Sequence, residues 1–412
     1  MARIVMKFGG TSVANVARIK AVAERVRAEV EAGNEVAVVV SAMAGVTNEF
    51  EGYVRETARL FDLREYDVVV SAGEQVTSGL TAIALQAQGV TARSWLGWQV
   101  PIRTDDAHGS ARIEDIDGSE IVRRMGEGQV AVFAGFQGVD PQGRVTTLGR
   151  GGSDTSAVAI AAAVGADRCD IYTDVDGIYT TDPRVVTRAQ KLAMISFEEM
   201  LELASQGAKV LQTRAVEMAM RHGVRVQVRS SFEAPTTETT PGTLVVDEDE
   251  IVEQQIVSGI AYSRDEAKIT LTGVPDRPGV AAGIFGPLTE EHINVDMIVQ
   301  NVSPSGEATD LTFTVRKGDF DRAVKLLQDR REQLGYQELR PDNNVCKISV
   351  IGVGMRSHAG VAQTMFKALS ERGINIQVIS TSEIKISVLV AEEYTELALR
   401  SLHTAYGLDA ET

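Results

Sequence analysis

Short apolar runs alternate with stretches of helical spacing along the first half of the chain. Ile4–Phe8 reads as a strand, and Val16–Glu31 places Ile19, Val22, Ala23, Val26 and Val30 close to helical spacing. Gly33-Asn34 stops that helix, and Glu35–Ser41 is a Val-rich strand of the buried type. The same alternation predicts strands at Asp67–Ser71, Val130–Phe133 and Asp170–Thr173, and helices at Glu74–Gln88 and Asp154–Val164. This order predicts an α/β fold, a mostly parallel sheet with helices on both faces, and ligands at the carboxyl ends of its strands.

The composition turns polar and turn-prone over Ser230–Gly242, which reads as a loop near a domain boundary. Beyond it the pattern repeats. Ile269–Val274 matches Ile348–Val353, and Gly279-Val280 matches Gly360-Val361. From those glycines the spacing is the same in both copies: Phe285 and Phe366, Leu288 and Leu369, then Asn294 and Asn375. Strands at Asp310–Val315 and Lys385–Val390 follow, so each copy reads as a ferredoxin-like βαββαβ unit. A lone unit leaves a sheet face and an edge uncovered, which predicts that the copies pack together.

Composition narrows the class. Hydrophobic residues are 44% and charged residues 24%, an ordinary globular balance. The net charge of −16 disfavours nucleic acid as a partner. The apolar runs are too short for a bilayer, the N-terminus has no signal-peptide pattern, and Cys169 and Cys346 are the only cysteines. The expectation is a cytoplasmic protein with neither a membrane segment nor a disulfide framework.

Five polar turns carry candidate chemistry. Lys7 near the end of the first strand precedes Gly9-Gly10-Thr11-Ser12, where glycines and a cation suit a phosphate. By itself the motif is weak, and a tight strand–helix turn fits it better. Leu148-Gly149-Arg150-Gly151-Gly152-Ser153-Asp154 adds a guanidinium suited to a carboxylate or phosphate. There Asp154 fits either a helix cap or a partner for Lys7. Thr173–Arg184 holds three carboxylates after a strand, as a solvated turn or a nucleotide loop. Ser71–Gln75 and Ser41–Asn48 are further turns expected at the same edge, with Glu74 in a first helical turn.

Together these motifs resemble the aspartate kinases of the amino-acid kinase superfamily. The matches are Lys7–Ser12, Ser41–Asn48, Ser71–Gln75, Gly149–Asp154, Tyr172–Gly177 and Gly207–Leu211, and the tandem repeat resembles paired ACT domains. The resemblance implies a three-layer αβα kinase domain over residues 1–245, one ACT unit over 264–340 and a second over 246–263 plus 341–412. It implies phosphoryl transfer from ATP to the β-carboxylate of L-aspartate, with Mg²⁺ carried by ATP and no dedicated protein ligands. The implied catalytic residues are Lys7, Glu74, Arg150 and Asp154. Aspartate would be held by Thr47, Glu74, Arg150, Gly151, Gly152 and Ser153. ATP would meet Lys7, Phe8, the N–H groups of Gly9 and Gly10, Ser41, Thr173, Asp174, Tyr179, Asp182, Arg184 and Lys209. The ACT pair implies feedback by lysine, threonine or both, through Asp276, Asn294, Asp296 and Gln300 in one copy and Asn375, Ile376 and Thr381 in the other. It also implies at least a homodimer.

Two other readings predict different residues. A non-catalytic amino-acid-binding subunit would keep the repeat without Lys7 and Arg150. A superfamily kinase for acetylglutamate, glutamate or UMP would lack the opening motif and the tandem units.

Overall fold

The apolar runs become strands buried on both faces of a sheet. The computed structural model describes residues 1–208, 210–233, 242–251, 255–302 and 308–409. The chain forms two units: Met1–Ile178 with Lys191–Ser205 and Lys209–Glu253, and Tyr179–Gln190 with Gln206–Ala208 and Gln254–Thr412.

The first unit runs β1 (Arg3–Phe8), α1 (Val16–Glu31), β2 (Glu35–Val40), α2 (Val46–Thr57), α3 (Leu63–Val70), α4 (Ala72–Ala87), β3 (Ala92–Trp95), β4 (Ile102–Thr104), β5 (Ile113–Ile116) and α5 (Ser119–Gly126). It continues with β6 (Val130–Ala134), β7 (Gln137–Val139), β8 (Val145–Thr147), α6 (Gly152–Val164), β9 (Arg168–Thr173), β10 (Met194–Ser196), α7 (Phe197–Ser205), α8 (Thr213–His222), β11 (Val226–Ser230) and β12 (Thr243–Val246). The main sheet has the order β10-β12-β11-β9-β1-β2-β6-β3, and the run from β11 to β3 is parallel. From β1 the chain steps one way to β2 and later the other way to β9, so the strand order reverses between β1 and β9. Phe8 and Tyr172, fully buried on those two strands, stack at 4.7 Å.

Two features depart from the sequence pattern. Asp67–Ser71, expected as a strand, is the end of helix α3 and its cap. The Val-Val-Val run lies on the surface side as well as inside, with Val68 and Val69 exposed and Val70 buried. A second sheet of order β5-β4-β7-β8 is built from strands too short to show a periodicity. Although no segment was expected to be long enough for a bilayer, the helical stretch Leu63–Ala87 has that length and hydropathy; half of its most apolar window is buried inside the protein.

The second unit holds the repeat: β13 (Gly259–Pro275), α9 (Val280–Glu290), β14 (Val295–Val302), β15 (Ala308–Val315), α10 (Phe320–Asp329), α11 (Arg331–Leu334), β16 (Glu338–Ile351), α12 (Val361–Ser370), β17 (Val378–Thr381), β18 (Lys385–Ala391) and α13 (Thr395–Ala405). Its six strands form one sheet, β14-β15-β13-β16-β18-β17. The long strands β13 and β16 pair antiparallel, with register shifts between Ser263 and Lys268. Each repeat therefore takes its fourth strand from half of the other's long strand. Ile284, Leu288, Ala323 and Leu327 pack one core, and Met365, Leu369, Leu399 and Leu402 pack the other. The matched glycines Gly279 and Gly360 stand just before α9 and α12 at φ +91° and +97°. A Cβ there would meet nothing within 4 Å, so backbone conformation rather than space favours glycine.

Candidate functional site

The carboxyl ends of β1, β2, β6 and β9 bring the predicted turns together. Lys7 sits next to last on β1, only 8% exposed, and its Nζ lies 2.5 Å from Asp154 Oδ1. Asp154 occupies the first turn of α6, whose capping residue is Gly151 at φ +73° with no side-chain cap. Asp154 is therefore the ion-pair partner of Lys7 and not the helix cap. The start of α6 has no side-chain cap; the N–H groups of Gly152 and Asp154 turn back onto Gly149 O and Gly151 O at 2.9 and 3.1 Å, and the positive end of the helix dipole lies at this turn. A Cβ at Gly9 would stand 3.4 Å from Lys7 Nζ, so the glycine keeps the approach to the ammonium open.

Two expectations for the opening motif change. The Gly9 N–H donates to Tyr172 O at 3.3 Å, so it extends the sheet and is not open to a phosphate. Helix α1 begins only at Val16, and the Asn15 side chain already accepts from Arg18 N. The Phe8 ring is fully buried, leaving its main chain at the edge, where Phe8 O accepts from Ser41 N at 3.0 Å.

Glu74 lies in the first turn of α4, 3% exposed. Burial pushes its carboxyl up to about 7, against hydrogen bonds from the backbone of Ala42 and of Glu74 itself. Its Oε2 is buried with no hydrogen-bond partner among the described residues. Gly73 makes this approach possible: a Cβ there would lie 2.7 Å from Ala42 Cβ. Thr47, half-buried, falls in the first turn of α2, whose capping residue Gly45 (φ +87°) supplies no side-chain cap.

The second glycine loop closes the site. Arg150 is exposed, Gly152 and Ser153 are buried, and Ser153 packs against Gly135, where a Cβ would stand 3.0 Å from Ser153 Oγ. Gly135 and Phe136 follow β6 and belong to this edge, although no sequence motif singled them out. Phe136 has φ +68°, a strained value for a residue with a side chain, and its N–H donates to Ser156 Oγ at 3.0 Å. Ser231 also lacked a motif of its own: its N–H and Oγ both donate to Thr173 O, at 2.9 and 3.0 Å. The only signal was the end of a Val-containing strand at Ser230-Ser231.

The nucleotide candidates divide. Thr173 ends β9 and Asp174 follows it, with Thr173 Oγ1 3.1 Å from Asp174 Oδ1. Tyr179, Asp182 and Arg184 lie on Tyr179–Gln190, which the 1–245 boundary placed in the kinase domain and which packs with the second unit. There Ile260 N donates to Thr180 O at 2.7 Å, Thr180 Oγ1 meets His403 Nε2 at 2.9 Å, and Arg184 forks onto Asp182 at 3.0 and 2.8 Å. Ile260 and His403 lie 80 and 223 residues from Thr180, beyond the reach of local pattern. Lys209 falls outside the described residues.

The effector candidates gather in the second unit by themselves. Asp276 and Asn294 are exposed beside the turns around α9, and Gln300 is exposed on edge strand β14. Asn375, Ile376 and Thr381 precede or end the opposite edge strand, β17. Asp296 has a partner of its own: Lys347 Nζ lies 2.6 Å from Asp296 Oδ2 and 2.8 Å from Glu266 Oε1. Met297 next to it takes φ +41° at a register shift of β14.

A parallel sheet with this switch point, a buried Lys–Asp pair at a glycine turn and a following pair of βαββαβ units is the arrangement of a small-molecule kinase unit joined to paired ferredoxin-like units. The amino acid kinase family model matches residues 2–230, and ACT domain models match residues 268–332 and 348–406. An aspartate kinase of Stutzerimonas stutzeri is 56% identical over 411 residues, covering 100% of this chain and 98% of its own length. An aspartokinase of Pseudomonas aeruginosa is 55% identical over 412 residues, covering 100% and 98%. The chain is similar in structure to E. coli aspartokinase III in complex with aspartate and ADP, at TM-score 0.78 and 29% identity, covering 98% of this chain and 99% of that one. The chain belongs to the amino acid kinase family, among its aspartate kinases.

Proposed function

We propose that this chain transfers the γ-phosphoryl group of ATP to the β-carboxylate of L-aspartate, giving ADP and 4-phospho-L-aspartate. The observation that carries the reading is Lys7 Nζ, 2.5 Å from Asp154 and beside the uncapped start of α6, at the point where the strand order reverses.

The chemistry asks for charge control more than for proton transfer. Aspartate's β-carboxylate is ionised at neutral pH and needs no base. It repels the triphosphate, so catalysis lies in positioning and neutralisation. Lys7 stabilises the transferring group, held in place by Asp154. Arg150 forks onto a substrate carboxylate, with Thr47, Gly151, Gly152 and Ser153 lining the same side. Glu74, once ionised, pairs with the α-ammonium, and its partnerless Oε2 is the free acceptor for it. Ser41, Gly10, Thr173 and Asp174 serve the nucleotide. Among the described residues no group of three or more His, Cys, Asp or Glu could hold a metal. Mg²⁺ would ride on the phosphates and supply charge neutralisation there.

The ACT units would bind lysine, threonine or both, at the starts of α9 and α12 and along β14 and β17. The E. coli relative in complex with lysine and aspartate supports this, at TM-score 0.74 and 29% identity. The reaction would open lysine, threonine and methionine synthesis, including the diaminopimelate route, in the cytoplasm. The unit's edge strands suit at least a homodimer. The test is acyl-phosphate trapping by hydroxylamine with ATP and aspartate, glutamate or acetylglutamate in parallel, with ADP release measured alongside for UMP. Aspartate alone should give a hydroxamate; hydroxamate with another carboxylate, or ADP release with UMP, in the absence of aspartate hydroxamate would overturn the assignment.

A further inference from the structure

We infer that the buried carboxylate of Asp67, together with His108, positions the Gly149–Arg150 turn and so sets affinity for the amino-acid substrate; this rests on the reading of Arg150 above. Asp67 lies on α3 and is fully buried, outside the set of residues the reaction uses. A buried carboxylate is costly unless donors surround it. Here they do. Oδ1 accepts from Thr147 Oγ1 at 2.5 Å and from Gly109 N at 3.0 Å, and Oδ2 faces His108 Nδ1 at 2.7 Å. The other ring nitrogen, His108 Nε2, lies 3.5 Å from Asp140 Oδ2. Asp140 Oδ1 in turn accepts from Gln142 N and Arg144 N at 2.9 and 2.8 Å. One carboxylate thus gathers strand β8, the 108–109 turn and helix α3.

The turn so held is the seat of the substrate loop. Gly149 takes φ +77°, and a Cβ on it would stand 3.2 Å from Gly109 O, the carbonyl of the residue whose N–H Asp67 holds. Ala111 N donates to Thr147 O at 2.9 Å. Arg214 closes the frame from α8, donating to Leu148 O at 2.9 Å and to Ala111 O at 2.7 Å. Arg150 follows directly. Displacing residues 108–109 removes the floor under Gly149 and lets the guanidinium drift, while Lys7, on β1 in the neighbouring sheet, keeps its partner Asp154.

The test is steady-state kinetics on the full chain carrying His108→Ala and His108→Asn, with melting temperature alongside. His108→Ala should raise KM for aspartate about tenfold, and leave KM for ATP within about twofold. His108→Asn, whose amide can replace the Nδ1–H donor, should recover most of that loss. If His108→Ala fails to fold, Thr147→Val removes one donor from Asp67 at nearly equal volume and takes the same measurement. A parallel rise in both KM values, or a lower melting temperature with unchanged KM for aspartate, overturns the inference. A wild-type chain that phosphorylates no aspartate overturns the underlying reading instead.

Discussion

Lys7 on β1 and Asp154 on α6 form an ion pair at 2.5 Å, each with about a tenth of its side chain exposed. The two residues are far apart in sequence and meet because β1 and the start of α6 end at the same sheet edge. The pair holds the ammonium in a fixed position with one face toward the Gly9 turn. A cation fixed before the reaction stabilises developing charge without having to reorganise.

Lys7→Ala should therefore lower kcat by on the order of 10³ with little change in the far-ultraviolet spectrum. Asp154→Asn should lower kcat less, because it loosens the ammonium without removing it. Single-turnover measurements with both variants check this, and near-normal turnover in Lys7→Ala would count against the site.

Glu74 gives a pH signature. Its folded carboxyl titrates at about 7, above the ordinary 4.5, because burial penalises the charged form. A raised folded value means stability fully present below 4.5 and lost as pH rises through about 7. Glu74→Gln should then be more stable than the parent at pH 8, by at most about 3 kcal/mol. The two should be nearly equal at pH 4. In kinetics, kcat/KM for aspartate should rise through pH 7 in the parent and stay flat in Glu74→Gln. Denaturant melts and pH–rate profiles read the two effects separately.

Gly73 can be tested by compensation. A Cβ at this position would lie 2.7 Å from Ala42 Cβ and 3.2 Å from Val46 Cγ1. Gly73→Ala should destabilise by about 1–3 kcal/mol and raise KM for aspartate by moving Glu74 off Ala42. Adding Ala42→Gly vacates the contact and should restore most of the affinity. Failure of the double variant to recover would place the defect elsewhere.

The effector reading predicts that lysine, threonine or their mixture lowers activity, and that Gln300→Ala weakens inhibition with kcat unchanged. Asp296→Ala should act differently, because it also removes a partner of the buried Lys347. It should lower the melting temperature of the second unit. Titration of activity and calorimetry on the two variants distinguish an effector contact from a structural one.

Much of this protein was legible in the sequence because its signals are local. Val-rich runs between glycine turns mark β1, β2, β6 and β9, since buried parallel strands need apolar side chains on both faces. The repeat was legible because two copies of one unit keep the same spacing from Gly279 and Gly360. Lys7, Arg150 and Glu74 stood out because cations and carboxylates beside glycine turns are chemically conspicuous.

Tertiary structure decided the rest. Asp67–Ser71 carries the composition of a strand, yet donors from Gly109 and Thr147, far along the chain, hold Asp67 in a helix. The Gly9 N–H looked open to a phosphate until β9 claimed it through Tyr172 O. Tyr179–Gln190 continues from a kinase motif, but Ile260 and His403 hold its polar groups in the second unit. Periodicity reports which face of an element is buried. It carries no record of the distant donor that satisfies a buried polar atom, and those distant pairings set the site.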